Sequence, residues 1–170
     1  MSTPTVFVDR DGTLIEEPPD NQVDDLRKVR FLPGVFAALA ELTRRGFRLV
    51  MVTNQDGLGT ERFPRVAFEA CHEFVLEAFR SQGVVFDAIF ICPHLESEGC
   101  TCRKPRIGLL EDDLRRYPID PVRSAVIGDR GSDLPWPPTS GSAALRSAVT
   151  AHPIRRGRAC CKPSRHVTPG

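Results

Sequence analysis

Four short apolar runs each end on a polar or chelating side chain, and this repeated arrangement limits the fold more than any other feature. Val6–Val8 runs into Asp9, Arg48–Val52 into Thr53, Ala88–Ile91 into Cys92, and Ser124–Ile127 into Gly128 and Asp129. Helical patterns lie between them. Pro33–Arg45 sets Val35, Phe36, Leu39 and Leu42 at helical spacing, with Pro33 suited to the first turn and Gly46 to the C-terminal cap. Pro64–Gln82 predicts a long helix with Val66, Phe68, Phe74, Val75, Leu76 and Phe79 as its apolar set, stopped by Gly83, and Ile107–Arg116 predicts a third. Strands alternating with helices in this rhythm predict an α/β fold with a doubly wound, mostly parallel sheet and helices on both faces. Ligands bind beyond the carboxyl ends of the strands in such sheets, which is where the polar residues fall.

The chemistry these residues can perform is phosphoryl transfer. Asp9 and Asp11, two apart and followed by Gly12, offer one carboxylate to attack phosphorus and a second to protonate the leaving alkoxide and then deprotonate water. Taken alone, Asp-x-Asp-Gly is equally well an Asx turn. Thr53 and Asn54 can donate to phosphate oxygens, Lys104 can neutralise charge developing on them, and Asp129 can complete a magnesium site facing Asp9.

Six cysteines stand in the chain, and three of them, Cys92, Cys100 and Cys102, lie within eleven residues that also hold His94. Cys-x-His followed by Cys-x-Cys can wrap a tetrahedral structural zinc ion and leaves no position for water. Cys71, on the long helix, reads as a packed thiol.

In this order, each at a strand end, the four segments resemble the motifs of the haloacid dehalogenase superfamily. The resemblance implies a Rossmann-like fold without a large cap domain and a set of roles: Asp9 as nucleophile and magnesium ligand, Asp11 as general acid/base that binds the metal through its carbonyl, Lys104 as charge stabiliser, Asp129 as the third magnesium ligand, and Asp133 behind them. Phe7–Pro19, Gln22–Asp24, Val52–Thr60 with Phe63–Pro64, and Ile91–Leu95 further resemble the histidinol-phosphate phosphatases, the N-terminal half of a bifunctional histidine-biosynthesis enzyme. The implied reaction is hydrolysis of histidinol phosphate through an aspartyl-phosphate, with Mg2+ as catalytic and Zn2+ as structural cofactor. Expected substrate contacts are Arg10, Glu16, Glu17, Thr53, Asn54 and Arg103, the acids on this loop (Asp24 with them) facing the cationic amine and imidazole. Two alternatives stand beside this one: a heptose 1,7-bisphosphate phosphatase on the same scaffold, and a non-catalytic remnant stabilised by zinc.

The formal net charge of +1 gives no global field for nucleic acid or a membrane surface, so the expected partner is a small phosphate ester. Met1–Thr5 lacks the charged and apolar regions of a signal peptide, and no apolar run reaches spanning length, so a cytoplasmic location is expected. Residues 1–134 read as the phosphatase domain and 135–170 as an atypical tail. From Pro135 onward both periods vanish. Back-translated in a shifted frame with GC-rich codons, the stretch from Trp136 can encode Leu-Ala-Ala-Asn-Leu-Gly-Ile-Arg-Gly-Phe, the kind of segment the resembled family carries there, which makes a frameshifted or disordered tail the expectation.

Overall fold

The computed structural model describes residues 2–133 and the backbone of Ser164–His166. Strands β1 (Thr5–Val8), β2 (Arg48–Asn54), β3 (Ala88–Cys92) and β4 (Ala125–Ile127) are mutually parallel, and β5 (Ser164–His166) runs antiparallel to β3. The order across the sheet is β4-β1-β2-β3-β5. Every residue of β1 is buried, as is all of β2 except Asn54, as expected of parallel strands covered on both faces.

Alternation of side chains divides the core in two. Val6, Val8, Leu49 and Met51 face helices α1 (Val35–Arg44) and α2 (Arg65–Arg80), where Leu39, Phe68, Val75 and Phe79 meet them. Phe7, Val50 and Val52 face the other way, onto Leu109, Leu110, Cys92, Cys100 and Cys102, next to the short helix α3 (Glu111–Arg116). Phe79 anchors the first layer, its ring 4.8 Å from that of Phe36 and edge-on to Phe31 and Phe86. Helix α1 ends as its sequence predicts. Gly46, at φ 77°, donates to Thr43 and Phe47 donates to Leu42, which satisfies the terminal carbonyls.

Two expectations need correction. On α2, Val66 (79% exposed) and Phe74 (49% exposed) lie outside the buried stripe, whereas Cys71 and His72 lie within it. The stripe runs from Phe68 by steps of three and four, and Val66 and Phe74 are turned away from it. The third helix begins at Glu111 instead of Ile107, because Gly108 donates to the Thr101 carbonyl and packs so closely on that backbone that no Cβ fits. The segment 107–110 is thereby held against the cysteine loop instead of coiling. The tail also contributes a strand, since Ser164, Arg165 and His166 pair with Ile91, Phe90 and Ile89. An edge strand of three residues is too short for a period to show in its sequence. The boundary at 134/135 and the frameshift expectation otherwise lie outside the described residues. Among the described residues, no helix is long and apolar enough to cross a membrane.

Truncating Phe79 to Ala is expected to cost about 3–5 kcal/mol of unfolding free energy. Val66→Ala, on the exposed side of the same helix, should change it by no more than about 0.5 kcal/mol. Urea unfolding of the two variants measures both, and equal losses would contradict the packing described.

Candidate active site

The carboxyl ends of β1, β2 and β4 converge on one buried pocket. Asp9 follows β1 directly, and its backbone N–H donates to Ile127 at the end of β4. That bond locks the first motif beside the fourth, and the carboxylates of Asp9, Asp129 and Asp133 gather with ligand oxygens all within 4.8 Å of one another. Lys104 reaches into this group, its Nζ 2.7 Å from Asp9 Oδ1 and 2.6 Å from Asp133 Oδ1. Its backbone N–H donates to Asn54 Oδ1 (3.0 Å), so the end of β2 sets where the lysine stands.

Crowded, buried carboxylates resist ionisation. Burial, opposed by Lys104 and reinforced by Asp133 and Asp11, pushes Asp9 up to about 7. Burial also raises Asp129, against the pull of Arg130. For Lys104, burial acts downward, but the flanking Asp9 and Asp133 outweigh it and hold the ammonium above its ordinary value. Asp129 Oδ1 is buried without a hydrogen-bond donor. Three crowded carboxylates with a single ammonium among them, Asp129 Oδ1 without a donor, make a donor set that fits a hard divalent cation. Two glycines make room for it. Gly12 has φ 76°, and a Cβ there would overlap the Asp129 carboxylate; a Cβ on Gly128 would overlap that of Asp133.

Asp11 is held apart from this group. Its Oδ2 accepts from Gln55 Nε2 at 2.6 Å, and the same Nε2 donates to Thr53 Oγ1 at 2.8 Å. Gln55 belongs to the segment singled out in the sequence but not to the expected site residues; its buried amide between Thr53 and Asp11 becomes visible only in three dimensions. Asp133 lies beside Asp9 and Asp129, in direct contact with Lys104.

Of the expected substrate contacts, Arg10 is turned into the fold. Its side chain is fully buried, its guanidinium lies 4.8 Å from the Phe68 ring centroid, and Nη1 pairs with Asp11 from inside the fold. Glu17 pairs with Arg130, Arg103 with Asp56, and Asp24 with Lys28, while Glu16 stays exposed.

The cysteine loop packs beneath Lys104. Cys92, Cys100 and Cys102 bring their Sγ atoms within 2.7–3.3 Å of one another, and His94 Nδ1 lies 3.1 Å from Cys102 Sγ. The three thiols are free, and all four donor atoms lie within 4.8 Å of one another. Tetrahedral zinc–thiolate bonds would set sulfur neighbours about 3.8 Å apart, a modest expansion of this cluster. Burial raises Cys92 and pushes Cys102 up to about 11, so thiolates here require a compensating cation.

No family model matches the chain. A curated relative, the histidine biosynthesis bifunctional protein HisB of Legionella pneumophila (strain Lens), is 52% identical over 128 residues, covering 75% of this chain and 36% of its own length. The chain thus spans about a third of that relative. Among solved structures, the D,D-heptose 1,7-bisphosphate phosphatase of B. bronchiseptica, complexed with magnesium and phosphate, superposes with a TM-score of 0.70 at 36% identity, covering 78% of this chain and 73% of that one. A Mesorhizobium loti protein described as a HAD-like phosphatase superposes at 0.69 with 32% identity, over 78% of this chain and 66% of its own. The chain belongs to the haloacid dehalogenase-like phosphatases.

Asp9 gives a pH signature. Between its ordinary value of 3.8 and about 7, the folded protein keeps a proton that the unfolded chain has lost, so stability falls as pH rises through that window. The raised Asp129 and Glu17 act in the same direction. The thermal midpoint of metal-free protein is therefore expected to fall between about pH 5 and 7.5, with added magnesium reversing most of the loss. A midpoint that rises across this range would contradict the buried-carboxylate geometry. Gly12→Ala, by displacing Asp129, should weaken magnesium binding by about tenfold or more in a titration followed by activity or calorimetry.

Proposed function

We propose that the chain hydrolyses histidinol phosphate through an aspartyl-phosphate on Asp9. The observation that carries the chemistry is the pairing of Asp9 and Asp133 with one buried lysine, beside Asp129, at the ends of parallel strands. Asp9, Asp129 and the Asp11 carbonyl hold magnesium, with the Asp133 carboxylate joining them or steadying Lys104; the bound cation supplies charge neutralisation for the phosphoryl group.

An oxygen of Asp9 attacks phosphorus as the ester P–O bond breaks. Asp11 gives its proton to the departing alkoxide. Water then attacks the phosphorylated Asp9, Asp11 takes its proton back, phosphate leaves and Asp9 is restored. Thr53 and Asn54 bind the phosphoryl oxygens, and Lys104 balances the negative charge that collects on them. Glu16 is the acid on the loop after β1 that receives the substrate's amine, since Glu17 is engaged by Arg130. Cys92, His94, Cys100 and Cys102 hold a structural zinc. It secures the loop whose next residues are Arg103, paired with Asp56, and Lys104.

The substrate assignment rests on the 52% identity to the HisB relative. Heptose 1,7-bisphosphate is the second reading, from the 36% identical structural neighbour. Phosphate release from the two compounds decides between them: kcat/KM should favour histidinol phosphate by at least about a hundredfold, and the reverse order would transfer the assignment. Asp9→Asn should abolish magnesium-dependent release, by about a thousandfold or more. Activity surviving that change would refute the covalent route, and a purified wild-type chain inactive on both compounds would leave the non-catalytic remnant.

Zinc should be present at about one ion per chain by elemental analysis. Its removal by a thiol-reactive agent plus chelator should lower both the thermal midpoint and kcat, through loss of Lys104's support. Full activity in zinc-free protein would dismiss the structural role.

A further inference from the structure

Gln55 has the geometry to control the proton chemistry of this site, although it touches neither the carboxylate cluster nor Lys104. Its side chain is buried (1% exposed), and its backbone is fastened where β2 ends, the N–H donating to the Cys92 carbonyl at 2.7 Å and the carbonyl accepting from Leu58. From this fixed base, one amide nitrogen serves two oxygens, Asp11 Oδ2 at 2.6 Å and Thr53 Oγ1 at 2.8 Å. The Asp11 carboxylate oxygen accepts, so the NH2 faces it and Thr53 together, and Oε1 is left buried without a donor.

Two consequences follow. Because Thr53 Oγ1 accepts from Gln55, the Thr53 hydroxyl hydrogen is left to point elsewhere, toward an incoming phosphoryl oxygen. Because the amide occupies Asp11 Oδ2, Oδ1 is the carboxyl oxygen left without a hydrogen-bond partner. Arg10 Nη1, 3.4 Å from Oδ1, braces the same carboxyl from within. We propose that Gln55 is a positioning residue for the hydrolysis, selecting the Asp11 oxygen that delivers the proton to the leaving group while turning the Thr53 hydroxyl toward phosphate. This rests on the reading of Asp11 as general acid, and the experiment separates the two.

The test compares kcat/KM for an alkyl ester, histidinol phosphate, with that for p-nitrophenyl phosphate, whose leaving group departs without a proton. Poorer phosphate binding would lower both values alike, whereas a misplaced acid lowers only the alkyl ester. Gln55→Met, of similar shape but without the amide, should reduce the alkyl-to-aryl ratio by about tenfold or more. Asp11→Asn is the reference and should reduce the ratio at least as far. An unchanged ratio in Gln55→Met with a lowered one in Asp11→Asn overturns the proposal and leaves Asp11's role standing. An unchanged ratio in both removes Asp11 as the acid, and the Gln55 proposal with it.

Gln55→Glu supplies a second readout that does not depend on Gln55→Met folding. A protonated glutamic acid can donate to Asp11 as the amide does, and a glutamate cannot. Its ratio should approach that of the native chain at acid pH and fall as pH rises, while the native ratio changes far less. A pH-independent ratio in Gln55→Glu, equal to the native one, counts against the proposal.

Discussion

Everything at the site follows from enclosing three carboxylates with one ammonium. Asp9 and Asp133, buried, and Asp129, half-buried beside them, repel one another, and the Lys104 ammonium compensates only part of the charge. Burial above all, with Asp133 and Asp11 beside it, pushes Asp9 up to about 7. Such a group gains when a divalent cation enters, because the cation offsets the carboxylates' mutual repulsion and the anionic charge of a phosphoryl group beside them.

The sheet makes such crowding possible. Parallel strands bring their carboxyl ends to one edge, and the Asp9 N–H bond to Ile127 sets the chain's first and fourth motifs side by side. The two faces then divide the labour. One carries the aliphatic and aromatic packing around Phe79 that supplies the bulk of the burial. The other carries the cysteine cluster, which takes the place of apolar packing under the loop that delivers Lys104. Beneath the catalytic edge runs a polar seam, from Arg10 on Phe68 through Asp11 and Gln55 to Thr53, that joins helix α2 to the ends of β1 and β2.

Much of this was legible in the chain. The four apolar runs became the four parallel strands, with ends moved by one or two residues, and Gly46 and Gly83 stopped their helices. Val66 and Phe74 were misplaced because an apolar residue one step off a helical stripe still looks apolar in the sequence; only the partner surface reveals which face is covered. The strand Ser164–His166 escaped notice because three residues carry no period, and its existence depends on the exposed edge of β3.

By itself, the sequence determined which chemistry was available: carboxylates, a lysine and a soft-ligand loop, each tied to a strand end by local rules of backbone geometry. What it left open was direction. Arg10 and Gln55 lie within or beside the motifs and carry similar polar groups, yet one is turned inward to brace Asp11 while the other bridges to Thr53. Only tertiary structure settled these, because the direction of a side chain and the partner it meets depend on which distant segments the sheet sets beside it, and spacing along the chain holds no record of that.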